Sequence, residues 1–204
     1  MKKILTLLSL VFTFSGFSQV IGTQEWMKEN LNVSTYRDGT PIPQVTDTKE
    51  WDSLKTGAWC YYENNSANGT TYGKLYNWHA INDSRGLAPK GWHVPSDAEW
   101  STLINYLGGE NVAAGKMKSK SGWDIRQKSG YREANNSSNF TALPGGRRHG
   151  NGTFLDNGVT SHWWSSTEFS SIASWDRFFV YNSDYVNREY ISKQSGFSVR
   201  CIKD

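Results

Sequence analysis

The sequence predicts an α+β domain, with helices in its first half and an antiparallel sheet completed by the C-terminus. Three observations predict it. Residues 97–107 carry a helical apolar stripe directly behind a capping signal. Four short β-rich segments follow one another between residues 162 and 202. The 204 residues hold ten Trp, ten Tyr and 19 Gly but few aliphatic runs. Trp and Tyr bury large areas and need partners for their N–H and O–H groups. The expected core is therefore built from aromatic rings on short elements joined by ordered loops.

The first residues read as a secretory leader spanning residues 1–18. Lys2 and Lys3 form the basic start, Ile4 to Phe14 an apolar run, and Gly16 and Ser18 the small residues before a cut at Gln19. The run of 11 residues is too short for a bilayer core of roughly 30 Å. With no Cys near the cut, no lipid anchor is expected, and no other run has transmembrane length. The expected product is secreted or periplasmic. Residues 19–204 are then one domain, of a size that buries roughly 70% of its unfolded surface. Cutting off Lys2 and Lys3 lowers the basic count from 22 to 20 against 19 acids, a net charge of +1. That balance gives no case for nucleic acid or an anionic membrane as partner. In an oxidising compartment Cys60 and Cys201 read as one disulfide, the alternatives being a free thiol or a metal ligand. Closing so long a loop would stabilise the chain by ~4–5 kcal/mol.

Along the chain, residues 20–36 suggest one or two strands with Trp26, Leu31 and Val33 inward. Arg37–Pro41 is turn chemistry. Residues 47–54 suggest a short helix bearing Trp51, 58–63 a strand, and the Asn-rich stretch 64–69 a loop. Residues 72–81 read as a helix with Leu75, Trp78 and His79 on one face. The strongest helix follows Pro95. Ser96 and Glu99 form a capping box, and Trp100, Leu103, Ile104 and Leu107 make the buried stripe that ends at Gly108–Gly109. Residues 115–161 lose regularity but carry Trp123, Tyr131, Phe140, Leu143 and Phe154, which suggest a pinned excursion. Strands are expected at 162–167, 175–181, 185–191 and 197–202. In the last, Phe197, Val199 and Cys201 alternate with Ser198 and Arg200.

Several long words recur in one order: NLNVSTYRDGTPIP at 30–43, AWCYY at 58–62, YGKLYNWHAIND…GLAPKGWHVPSDAEW from 72 to 100, NFTALPGGRR at 139–148, WWSST at 163–167 and GFSVRC at 196–201. In these words the chain resembles the Fibrobacter succinogenes major paralogous domain family over nearly its whole length. The resemblance implies a C-type lectin-like fold, shared with formylglycine-generating-enzyme-like domains: a twisted antiparallel sheet, two flanking helices and a long loop-rich region. Ala88 stands where some members carry Cys. The resemblance transfers no activity to any residue.

Catalytic motifs are not evident. His79, His93, His149 and His162 match no compact metal-ligand spacing, and His93 lies close to Asp97 and Glu99 because those residues begin a helix. No G-x-S-x-G occurs. The sugar-binding calcium loop of C-type lectins is missing; Trp175–Asp176 is a faint echo, and loop acids such as Asp156 are the candidates for a structural calcium. The expectation is therefore a protein without catalytic function or cofactor. The ligand-binding candidates are Trp123, Arg147, Arg148, His149, Trp163 and Trp164. A glycine-flanked basic tip suits carboxylates, and neighbouring strand residues point opposite ways, so one ring of Trp163–Trp164 is a candidate for stacking on a sugar. The expected function is a secreted binding or adhesion module for carbohydrate or a cell-surface protein. The alternatives are a formylglycine-generating-type enzyme relative and a structural component of the envelope.

Overall fold

The computed structural model describes residues 16–124 and 134–204. The expected leader lies outside the described residues as far as position 15, and so does Tyr131. The chain is α+β with mostly antiparallel pairing. It opens on a hairpin, β1 (Ser18–Ile21) and β2 (Gln24–Met27). Helix α1 (Thr48–Asp52) is capped by Asp47, whose carboxylate accepts the Lys49 and Glu50 amides. Then come β3 (Trp59–Cys60), a 3-10 turn at Tyr62–Asn64, α2 (Ser66–Tyr72), β4 (Leu75–Tyr76), the single-turn α3 (Trp78–Ile81), β5 (Trp92–His93), α4 (Asp97–Tyr106) and α5 (Glu110–Met117). The second half holds β6 (Arg147–Arg148), β7 (Phe154–Leu155), β8 (Thr160–Glu168), β9 (Ala173–Val180), β10 (Asn187–Ser192) and β11 (Ile202–Lys203). One sheet runs β1-β2-β11-β5, so the two ends of the domain meet in it; another runs β10-β9-β8. β3 pairs with β4 and β6 with β7. No helix among the described residues is long and apolar enough to cross a membrane.

The capping box forms as expected: Ser96 Oγ accepts the Glu99 amide, and Glu99 accepts the Ser96 amide at 2.7 Å. Trp100, Leu103, Ile104 and Leu107 are buried on one face of α4. Gly109 then caps α5, a second helix that the sequence did not signal. Two other expectations give way to tertiary contacts. The Asn-rich stretch is not a loop but the start of α2, because Asn65 caps it through the Ala67 amide. Asn is both a turn former and a helix cap, so composition could not separate the two. Residues 72–81 are not one helix. Gly73 breaks the run at φ 74°, and Tyr76 instead exchanges two backbone hydrogen bonds with Phe197. Asn77 then caps α3 through Ala80 and also holds the Ala58 amide.

The core is aromatic and falls into three clusters. Trp26, Trp100, Phe140, Trp163 and Phe179 centre the first; Tyr36, Trp59, Tyr76, Trp78, Trp164 and Phe197 the second; Val45, Trp51, Tyr62 and Leu75 the third. Buried indole N–H groups find oxygen partners: Trp51 on Gln194, Trp59 on Ile42, Trp78 on Ser165 and Trp164 on Tyr76. The C-terminal stretch runs between these clusters. The expected alternation of buried and solvated residues at 197–202 is overturned, since Ser198 and Arg200 are as buried as Phe197, Val199 and Cys201. Gly196 permits this passage: a Cβ there would meet the Trp51 ring at 2.9 Å.

Cys60 and Cys201 form no disulfide; both are free and buried. The reason is their packing: Cys60 belongs to the Trp51 cluster and Cys201 to the Trp59–Phe197 cluster. Burial pushes both thiols up to about 12, so neither is a thiolate near neutral pH. Loops are held by buried cations. Arg148, fully buried, donates to the carbonyls of Gly152, Val45, Thr46 and Asp47, between the rings of Trp51 and Phe154. Lys118 likewise gathers the carbonyls of Val180, Tyr181 and Ser183.

Two outcomes follow. Alkylation in denaturant without reductant labels both cysteines, while the folded protein resists labelling; a mass lacking both labels would restore the disulfide. Arg148→Met removes a guanidinium that serves four carbonyls and two rings, and lowers the unfolding free energy by about 3–5 kcal/mol, as urea denaturation would read. Arg148→Lys restores only part, because an ammonium has three donors and no fork.

Candidate functional site

The structure does not bring the six sequence-predicted residues onto one surface. Trp163 and Trp164 are consecutive on β8 and do point opposite ways, but each enters a different core cluster and both are fully buried. Neither face of that strand is open to a sugar. Trp123 is buried, and its Nε1 donates to Ser119 Oγ at 3.1 Å. Arg148 is the loop anchor described above. Only Arg147 and His149 reach solvent. Arg147 is held by Asp156 at 3.1 Å, and the exposed His149 accepts the Asn151 amide within the β6–β7 turn. Asp156 is thus engaged by an arginine, and among the described residues no group of three His, Cys, Asp or Glu side chains gathers.

What the fold does assemble is a polar cleft of about 750 Å³. β1 supplies Ser18 and Gln19, the segment after β2 supplies Lys28, Glu29, Asn30 and Asn32, the end of α2 supplies Thr70 and Thr71, and the loop before β6 supplies Asn139, Thr141 and Leu143. Arg200 completes the lining. Most of these side chains are amides and hydroxyls. Asn30 is the hub beneath them: its Oδ1 accepts from Trp163 Nε1 at 3.0 Å and from Arg200 Nε and Nη2 at 3.1 and 2.7 Å, and its Nδ2 donates to Tyr72 O. Asn32 is fixed by Lys74, whose Nζ donates to its side-chain oxygen at 2.9 Å while lying over the Trp59 ring. Burial pulls the Lys74 amine below its ordinary value.

One wall of the cleft is conformationally strained. Asn136, Asn139 and Thr141 all have positive φ, at 50°, 59° and 54°. For a β-branched residue such as Thr141 this region is unfavourable, and strain of this kind persists only where surroundings enforce it. Here Asn136 enforces it, accepting the Thr141 amide and donating to its hydroxyl, both at 2.9 Å. Gln19 is unusual in another way: both atoms of its carboxamide are buried without a hydrogen-bond partner. Buried polar groups in native structures are nearly always satisfied, and these two border the cleft.

The model of the Fibrobacter succinogenes major domain matches residues 20–203. The chain belongs to that family. No curated protein and no solved structure matches it. In this family member, the match takes in the whole cleft except Ser18 and Gln19. The sequence singled out none of the cleft's residues as candidates. The available signals were words shared with the family: NLNVSTYRDGTPIP holds Asn30 and Asn32, NFTALPGGRR holds Asn139, Thr141 and Leu143, and GFSVRC holds Arg200. The lining is spread over five separate segments, and isolated Asn and Thr residues read as turn chemistry.

Asn136→Ala removes both restraints on Thr141. It is expected to lower the unfolding free energy by about 1–3 kcal/mol, measured by chemical denaturation. An unchanged midpoint would show that the wall's conformation is held by something else.

Proposed function

We propose that this domain is an exported, non-catalytic binding or adhesion module that takes carbohydrate in the polar cleft. The observation that carries this reading is the lining: Asn30, Asn32, Thr70, Thr71, Asn139 and Thr141 present amides and hydroxyls, and Gln19 adds a buried carboxamide with no partner. Such groups match the alternating donors and acceptors of a polyol, and a site with unmet polar atoms favours a ligand that meets them. We read the fold as C-type lectin-like, supported by terminal strands that share one sheet, by α4 and α5 as the two longest helices, and by the long irregular stretch before β8. The basic, apolar and small-residue blocks of the leader support export. Burial of both thiols favours this reading over a formylglycine-generating-type enzyme.

A cell-surface protein as partner is the second reading. It is favoured by an exposed group on the sheet edge, where Phe169 stacks on Tyr190 at 4.0 Å beside Trp175 and Ile172.

A glycan and protein array, probed with and without calcium, tests the proposal. Binding to a defined set of glycans is expected, and the double variant Thr70→Ala, Thr71→Ala, at two exposed positions, should weaken it about tenfold, or ~1.4 kcal/mol. Binding of proteins alone would favour the second reading; a blank array would point to a structural envelope role.

A further inference from the structure

Resting on the carbohydrate reading, we infer that the cleft selects a ligand bearing a carboxylate, an acidic sugar of the uronate class, with Arg200 as its counter-charge and Gln19 as its second donor. Arg200 is almost wholly buried. Its bonds run to Asn30 Oδ1, twice, and to Phe140 O, and its guanidinium lies over the Phe140 ring at 4.3 Å. All of these partners are neutral. A guanidinium has five N–H donors, so three bonds leave two N–H groups over. Among the other buried cations, Arg177 holds the Asp97 carboxylate at 2.6 Å and Lys193 holds Glu168, whereas Arg148 and Lys74 bond neutral groups as Arg200 does.

An interior charge with no bonded counter-ion is expensive. The cost is visible in Arg200 itself, which burial pulls down to about 9, with only a longer-range attraction from Glu29 opposing it. In the same lining, the carboxamide of Gln19, the residue that the expected cut leaves first in the chain, offers N–H donors that nothing uses. An arginine fork and an amide on one cleft are a fitting pair for the two oxygens of a carboxylate. The ring hydroxyls of the same sugar would meet the Asn and Thr side chains. Among the charged residues of the lining, Lys28 and Arg200 outnumber Glu29, which leaves the cleft one positive charge for an anion to neutralise.

The test is calorimetric titration of the purified protein with the methyl glycosides of glucuronic and galacturonic acid, set against those of glucose and galactose, which differ only in carrying CH2OH for the carboxylate. At least one uronate should bind tenfold or more tightly than its neutral counterpart, and the advantage should shrink as salt is raised. Gln19→Leu should cut the uronate affinity several-fold more than it cuts that of the neutral sugar. Arg200→Gln should abolish the preference, with circular dichroism reporting whether that variant folds; if it does not, the Gln19 variant and the salt dependence decide. Equal binding of acidic and neutral sugars overturns this inference and leaves the carbohydrate reading standing. No binding by any sugar here or on the array overturns the carbohydrate reading itself.

Discussion

The fold depends on one constraint: the last eight residues before the terminal strand's end must pass, fully buried, through the middle of the molecule. Residues 195–202 are all buried. Their backbone bonds reach Arg148 from Gly196, Tyr76 from Phe197, His162 and Trp164 from Ser198, Leu31 from Val199 and Met27 from Cys201. A buried stretch of backbone must satisfy every N–H and C=O. This one borrows partners from separate regions, among them the two-residue strands β4, through Tyr76, and β6, through Arg148. Pairings of such sequence separation form late and slowly, so the domain closes only when its C-terminus is in place.

Loops this numerous leave many carbonyls facing inward. Buried arginines and lysines answer that need, set over aromatic rings that compensate them: Arg148 over Trp51, Lys74 over Trp59, Lys193 over Trp78 and Arg200 over Phe140. The aromatic composition and the buried cations are thus two parts of one arrangement. An aliphatic core would offer no π-face to a buried ammonium or guanidinium. At the periphery, His93 ties α4 to the last residue, with one ring nitrogen 2.8 Å from Glu99 and the other 2.8 Å from Asp204. Although burial disfavours its charged form, these two carboxylates hold its pKa above the ordinary value. Their grip is therefore strongest in acid and is lost as the pH rises through that raised value.

The cleft is a product of the same geometry. Arg200 belongs to the central segment, Asn30 links it to Trp163 on β8, and the strained loop at Asn139 and Thr141 closes over both. In this way the cleft and the core share residues, and the cleft's charge is set in part by a side chain buried in the core. Trp163 shows the exchange of roles most directly. As an exposed ring it would be a platform for a sugar; in the fold its N–H instead fixes the amide that lines the cleft.

The sequence by itself determined the family, the α+β class, helix α4 with its capping box, and the β8–β9–β10 sheet. Each rests on a local period or on a long shared word, and local signals survive whatever surrounds them. It did not determine α2, the break at Gly73, the free cysteines or the cleft. Asn65 serves turn and cap alike, Tyr76 abandons a helical pattern for two bonds to a residue 121 positions away, and the thiols part because they fall in different clusters. Only the tertiary structure could decide which of ten Trp are floor and which are surface, because burial belongs to the partners a residue meets and not to the residue.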